Sequence, residues 1–243
     1  MNSSVIKKFA LETYGCQMNV ADSELVEGIL TNLGLEKTAD YDEADAIFLN
    51  TCAIRENAET KVHSKLGNLQ KIKLNKPHLI IGVLGCMAQN LKDDLLKNKP
   101  YVDIILGPDS YRKIPDLINR HVKDNKSIVD TKLSRYEVYE NLFPSRGDTF
   151  NAWVSIMRGC DKFCSFCIVP FTRGRERSRS VESVVEEVEK AVDQGFVEIT
   201  LLGQNVNSYN FEGKSFSDLL LACLLYTSPS PRDISGSRMP SSA

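Results

Sequence analysis

The chain has 243 residues, enough for one large domain or two ordinary ones. A content of 42% hydrophobic and 26% charged residues excludes wholesale disorder. A net charge of −2 excludes nucleic-acid binding by bulk charge and leaves only local basic patches for that purpose. No apolar run reaches the roughly eighteen residues that span a bilayer. The opening stretch MNSSVIKKFALETYG lacks an apolar h-region and a small-residue cleavage site. The expectation is a cytoplasmic protein with no membrane partner.

The first part of the chain repeats one strand–turn–helix unit. Residues Lys8 to Tyr14 read as a strand turned by Gly15-Cys16, and Asn19 or Asp22 can then cap a helix carrying Leu25, Ile29 and Leu33, closed by Gly34. The next unit has the strand Ala46 to Asn50, then Thr51-Cys52 and a charged helix from about Glu56 to Lys73. The third has the apolar strand Leu79 to Leu84, then Gly85-Cys86 and a short helix through Asn90 to Leu96. A fourth strand, Val102 to Leu106, leads to a helix around Ile114 to Val122. Apolar strands alternating with helices predict an α/β fold with a parallel sheet covered on both faces. Residues 1–122 are thus expected to form one α/β domain.

Residues 123–148 are polar and lack a long period, which reads as a linker with one short strand at Ser127 to Asp130. A second domain, 149–222, opens with the strand Ala152 to Met157 and runs into the loop bearing Cys160, Cys164 and Cys167. Ser178 or Ser180 caps the next helix, lined by Val181, Val184, Val185, Val188, Ala191 and Val192 and closed by Gly195. The strand Val197 to Leu202 follows and ends in Gly203-Gln204-Asn205. Strand, helix and strand of this length predict the start of a second parallel sheet or (β/α) barrel, whose reactive groups gather at the carboxyl ends of strands. Two strands cannot close a barrel. Residues 223–243, rich in Ser and Pro with no period, read as a non-native or disordered tail after a truncation, and Cys223 is given no role.

The cysteines carry the chemistry. A disulfide framework is a poor reading in a reducing compartment. Cys160, Cys164 and Cys167 stand in C-x3-C-x2-C spacing. Thiolates select zinc, copper(I) or iron–sulfur clusters. A structural zinc wants four closed ligands, and the three histidines His63, His78 and His121 all lie far upstream. Three thiolates on a four-iron cube leave one iron open for chemistry. Cys16, Cys52 and Cys86 each fall one or two residues past a predicted strand, which places all three on the carboxyl edge of a parallel sheet where α/β ligands bind. Three separately buried cysteines are the plainer alternative.

The motifs TYGCQMNVADSE (13–24), NTCAIRENAETKV (50–62), GCMAQ (85–89), MRGCDKFCSFCIVPFTRGRERSRS (157–180) and TLLGQNVNSY (200–209) resemble the radical S-adenosylmethionine methylthiotransferases over roughly residues 8–222. The resemblance implies an α/β methylthiotransferase domain followed by a partial radical-enzyme barrel. It implies two [4Fe–4S] clusters, one on Cys16, Cys52 and Cys86 and one on Cys160, Cys164 and Cys167, the latter binding S-adenosylmethionine. The implied reaction installs a methylthio group at C2 of N6-isopentenyladenosine beside the anticodon of tRNA. Implied partners are the tRNA, an electron donor such as flavodoxin or ferredoxin, and a sulfur source, acting with a monomeric enzyme. Family members carry more barrel and a small RNA-binding β-domain, so this chain is expected to be short of full activity.

Alternatives are a ribosomal-protein methylthiotransferase, a threonylcarbamoyladenosine tRNA methylthiotransferase, or a non-catalytic zinc or iron–sulfur protein that binds RNA or carries electrons. Arg173, Arg175, Arg177 and Arg179 form a basic stripe suited to RNA phosphates, or else a solvated, locally paired loop. Gln204 and Asn205 are candidates for contact with S-adenosylmethionine, or simply form a polar turn. Phe163 and Phe166 either screen the cluster or pack. Asp22, Ser23 and Glu24 read as helix-start residues, and Asn50 and Arg55 flank Cys52, where they either tune a cluster or serve capping and pairing.

Overall fold

A computed structural model describes residues 6–53, 56–147 and 150–224. Its elements run β1 (Lys8–Tyr14), α1 (Gln17–Asn32), β2 (Glu36–Lys37), β3 (Ala46–Thr51), α2 (Glu56–Asn75), β4 (Ile80–Gly85), α3 (Cys86–Asn98), β5 (Ile104–Leu106), α4 (Ile114–Asp124) and β6 (Ile128–Asp130). Then follow β7 (Asn151–Ser155), β8 (Met157–Arg158), α5 (Val169–Thr172), β9 (Arg177–Ser178), α6 (Val181–Asp193), β10 (Glu198–Leu202), β11 (Asn210–Phe211), β12 (Lys214–Ser215) and α7 (Phe216–Leu224).

The first six strands form one wholly parallel sheet in the order β2-β1-β3-β4-β5-β6. Every residue of β3 and β4 is buried, because central parallel strands are covered on both faces. Alternation assigns the faces: Phe48, Ile80 and Leu84 pack with Leu25, Val26 and Ile29 of α1 and Leu117 of α4. Ile47, Leu49, Ile81 and Val83 pack on the other side with Val62, Leu66 and Leu69 of α2 and Met87 and Leu95 of α3. From β1 the chain turns one way to β2 and then crosses back to β3, so the order reverses between β1 and β3. In open α/β sheets that reversal is where ligands sit.

The expected parallel sheet is therefore present, with three differences of detail. The α1 helix begins at Gln17, capped by a reciprocal box between Cys16 and Asn19, so Asn19 and Asp22 lie inside the helix rather than at its start, and Leu33 is exposed. The α3 helix begins at Cys86 itself and is broken at Lys92. The strand at Ile128–Asp130 is a full member of the sheet beside β5, so the polar segment after residue 122 is not a loose linker at its start. Its later part is anchored too: the Tyr139 ring is buried, and its hydroxyl accepts from the Tyr111 N–H and donates to the Pro108 carbonyl.

In the second unit, β7 and β10 pair in parallel with α6 crossing between them. Val154, Ile156, Met157, Val184, Val188, Tyr209 and Leu219 form its core. Ser180 is the N-cap, its hydroxyl accepting from the Ser183 N–H, and Gly195 follows the helix in a left-handed conformation. Val192 faces solvent, and the buried position on that helix belongs instead to Glu187. The last helix continues through Cys223 to Leu224, with Cys223 half-buried against the core, so these two residues belong to the folded unit rather than to the expected tail. The remainder of that tail lies outside the described residues.

Candidate functional site

Register puts the three strand-end cysteines at one level. Tyr14 pairs with Thr51, and Thr51 with Gly85, so Cys16, Cys52 and Cys86 follow the ends of three adjacent strands about 4.8 Å apart. The loops touch. A Cβ on Gly15 would lie 2.8 Å from the Cβ of Cys52 and 2.3 Å from Oδ1 of Asn19, and one on Gly85 would lie 2.5 Å from both Oδ1 of Asn50 and the Thr51 carbonyl. Only a residue without a side chain permits these approaches, which accounts for glycine directly before Cys16 and Cys86.

A buried polar bed fixes this edge. Asn19 donates to Oδ1 of Asn50 and to the Thr51 carbonyl, both at 3.3 Å. Asn50 returns with bonds to the Asn19 carbonyl and the Ser23 hydroxyl at 2.9 Å, and Thr51 donates to the Leu84 carbonyl at 2.6 Å. Asn50 thus ties the end of β3 to α1, and Ser23 serves the same bed, also accepting from Thr13. Arg55 lies outside the described residues.

The second set sits in the loop between β8 and α5. The Cys160 N–H donates to the Gly174 carbonyl and the Cys167 N–H to the Cys164 carbonyl. Asp161 staples the loop to its return, accepting from Arg175 at 2.6 and 3.1 Å and from the Glu176 N–H at 3.1 Å. Cys160 is buried, Cys167 half-buried and Cys164 exposed. Phe163 and Phe166 are 51% and 92% exposed, so neither is buried in a core; Phe163 meets Phe171 edge to face and lies under Arg175.

None of the described cysteines is in a disulfide. Among the described residues, no three His, Cys, Asp or Glu side chains converge closely enough to hold a metal ion. One trio follows three adjacent strand ends and the other lies in one loop. A tetrahedral zinc ion would require sulfurs roughly 3.8 Å apart, whereas a cube with an iron at each ligated corner spreads its thiolates more widely. Both donor sets are thiolate alone, a chemistry that suits iron–sulfur clusters as well as zinc.

Gln204 and Asn205 lie on the same edge as the cysteine loop, since Leu202 pairs with Ser155 just before β8. Oε1 of Gln204 is buried with no hydrogen-bond partner among the described residues. The Asn205 carbonyl accepts from the N–H and hydroxyl of Ser208, as a turn residue does.

The arginine stripe is not what its sequence suggests. Arg173, Arg177 and Arg179 are buried, and only Arg175 is exposed. Arg173 donates to Asp22 at 2.8 Å, Arg177 to Asp109 at 2.9 Å, and Arg179 to Glu187 at 2.5 Å. A guanidinium already committed to a buried carboxylate cannot also face RNA phosphates. Neither the phosphate-facing reading nor the solvated-loop reading holds for these three.

These arginines belong to an ionic layer between the two units that the sequence did not reveal. Arg158, 2% exposed, donates to Asp22 at 2.9 Å and to the Pro108 carbonyl at 3.1 Å, and lies 4.8 Å over the Tyr139 ring. Arg146 donates to Glu187 at 2.5 Å and lies 3.4 Å from Glu24. Burial pushes the Asp109 carboxyl up and the Arg177 guanidinium down, so desolvation outweighs attraction in that pair. Burial likewise raises the Glu24 carboxyl to about 7, despite Arg146. A signal for Asp22 did exist: it shares the apolar face of α1, three or four residues from Met18, Leu25 and Val26.

Residues 8–107 match the family described as uncharacterized protein family UPF0004, and residues 154–230 match the radical SAM superfamily. The chain is 51% identical over 208 residues to a tRNA-2-methylthio-N(6)-dimethylallyladenosine synthase of Bacteroides fragilis, covering 85% of this chain and 45% of that protein. Proteins of the same name from Phocaeicola vulgatus and Bacillus subtilis are 52% and 47% identical, covering 85% and 88% of this chain and 45% and 42% of theirs. The chain thus spans less than half the length of these relatives. Among solved structures, the radical S-adenosylmethionine methyltransferase TsrM of Kitasatospora setae has a similar fold, with a TM-score of 0.54 at 12% identity over 83% of this chain and 48% of that one.

Proposed function

The chain belongs to the radical S-adenosylmethionine methylthiotransferases, and on that premise we propose that it is part of an enzyme placing a methylthio group on C2 of N6-isopentenyladenosine in tRNA. The observation that carries this reading is the pairing of two three-cysteine sets, one across three adjacent strand ends and one in the loop after β8. Family membership brings S-adenosylmethionine and a [4Fe–4S] cluster. We assign that cluster to Cys160, Cys164 and Cys167, and a second to Cys16, Cys52 and Cys86.

When bound, these groups supply the electron, the carbon radical and the sulfur, while the protein supplies placement. Asn19, Asn50 and Thr51 hold the strand-end loops in register. Asp161 and Arg175 hold the radical loop closed. The unsatisfied oxygen of Gln204 suits a ligand amino group at the mouth of β10. Of the arginines, Arg175 remains the candidate for RNA phosphate. The two folded units are read as separate domains tied by the segment from 131 to 148.

The reading further includes a monomer in the cytoplasm, served by an external electron donor such as flavodoxin or ferredoxin and by a sulfur source. No helix among the described residues is long and apolar enough to cross a membrane. Anaerobic reconstitution with iron and sulfide tests the proposal. About eight irons per chain are expected, falling to about four when either cysteine set is changed to alanine. About four irons in the unmodified chain, or none, would falsify the two-cluster arrangement.

A further inference from the structure

Arg173 caps the carboxyl end of α5, six residues past Cys167, and is 3% exposed. Its Nη2 donates to Oδ2 of Asp22 at 2.8 Å, and its carbonyl accepts from Nη2 of Arg177 at 3.2 Å. Its Nη1 is buried with no hydrogen-bond partner among the described residues. Leaving a charged donor in that condition is costlier than leaving a neutral one, so an acceptor is due there.

The neighbourhood indicates which acceptor. The α5 helix packs against α3, whose first residue is Cys86, and the Cys86 sulfur lies within the electrostatic reach of this guanidinium. The side-chain nitrogens that lack partners on Arg146, Arg158, Arg177 and Arg179 are all Nε atoms, each on a guanidinium that also contacts a carboxylate. Arg173 differs in offering a terminal nitrogen, on a guanidinium that Cys86 reaches electrostatically.

We propose that Arg173 is a positioning residue for the auxiliary cluster, its Nη1 donating to the sulfur side of that group at Cys86 while Asp22 holds the guanidinium from behind. The inference rests on the two-cluster reading above. Its consequence is electrical and geometric together. Positive charge and hydrogen bonds at cluster sulfur favour the reduced form. The same side chain ties the auxiliary centre to the peptide leaving the radical loop, so the separation of the two centres is fixed by six residues and one guanidinium.

The test uses the full chain with Cys160, Cys164 and Cys167 changed to alanine, so that only the strand-end set can assemble, and compares it with the same chain carrying Arg173→Gln or Arg173→Lys. Iron content, midpoint potential followed by electron paramagnetic resonance, and thermal unfolding are measured. The parent should bind about four irons. Arg173→Gln should move the potential downward by about 60 mV, a tenfold change in a one-electron equilibrium, and Arg173→Lys should fall between the two. A loaded Arg173→Gln chain with the parent's potential overturns the inference while leaving the two-cluster reading intact. A parent that binds no cluster overturns both. Should the Gln variant not fold, the Lys variant decides: its compact ammonium cannot serve Asp22 and the sulfur together, so an unshifted potential overturns the proposal and a downward shift supports it.

Discussion

Asp22 and Arg158, 136 residues apart in the chain, meet at 2.9 Å with both side chains almost wholly buried. The second oxygen of the same carboxylate holds Arg173 at 2.8 Å. One helix of the sheet domain thereby grips both the strand before the loop bearing Cys160, Cys164 and Cys167 and the turn after it. Buried ion groups rarely add stability over an apolar packing, but removing one member leaves the rest uncompensated. Asp22→Ala should therefore cost about 3–5 kcal/mol, read as a lowered urea midpoint. It should also loosen the two units, read as faster amide exchange at β8. A variant within 1 kcal/mol of the parent, with unchanged exchange, would show that this carboxylate is not the tie.

The alternating arginines divide by burial, and their variants should divide likewise. Arg175, with 70% of its side chain exposed, pairs with Asp161 at the surface, where such pairs contribute about 0–1 kcal/mol. Arg177, bound to Asp109 and to the Ser134 carbonyl, is buried. Arg175→Ala should leave the unfolding midpoint nearly unchanged and lower the salt slope of tRNA binding by about 1. Arg177→Ala should lower stability by about 3 kcal/mol or more. Equal stability losses in the two variants would contradict the division.

Much of the fold was legible because its signals are local. Apolar runs closed by Gly15-Cys16 and Gly85-Cys86 marked β1 and β4, and in a parallel sheet that was enough to gather the cysteines on one edge. The start of α1 was misread because the capping pair is Cys16 and Asn19, not the Ser or Asp that usually marks a helix start. The strand at Ile128–Asp130 was visible, but its place in the sheet depends on pairing with β5, which no local pattern encodes. The arginines were the least readable. Spaced two apart, they imitate a solvated stripe, while the acid held by Arg173 lies 151 residues away. Partners that distant leave no trace in a short window.

Gly159 opens the loop bearing Cys160, Cys164 and Cys167 at φ +77, and a Cβ there would sit 2.1 Å from the Arg175 carbonyl. Both conformation and space exclude a side chain, and the obstacle is backbone, which cannot swing aside. Gly159→Ala should push the return segment away and break the bond from the Cys160 N–H to the Gly174 carbonyl. The expected result is loss of about four irons on reconstitution with the strand-end set still loaded, alongside a stability loss of about 1–3 kcal/mol. Full iron loading of the variant would mean that the loop tolerates the displacement.

Glu24 gives the ionic layer a pH dependence. Burial is the largest influence and raises its carboxyl to about 7, with Arg146 opposing and Glu187 and Glu27 assisting. In the unfolded chain the group titrates near its ordinary value of about 4.3. Between the two values the folded state holds a proton that the unfolded state releases, so this group's contribution is complete below about pH 4.3 and is lost as pH rises toward 7. Above 7 both states are ionised and the contribution stays flat. Glu24→Gln keeps the shape and cannot ionise, and titrations common to both proteins cancel in their difference. The parent should therefore lose stability relative to Glu24→Gln from about pH 5 to 7 and then level off, measured as urea midpoints in parallel at each pH. A difference independent of pH across that window would show that the Glu24 carboxyl is not raised, and that Arg146 compensates it fully.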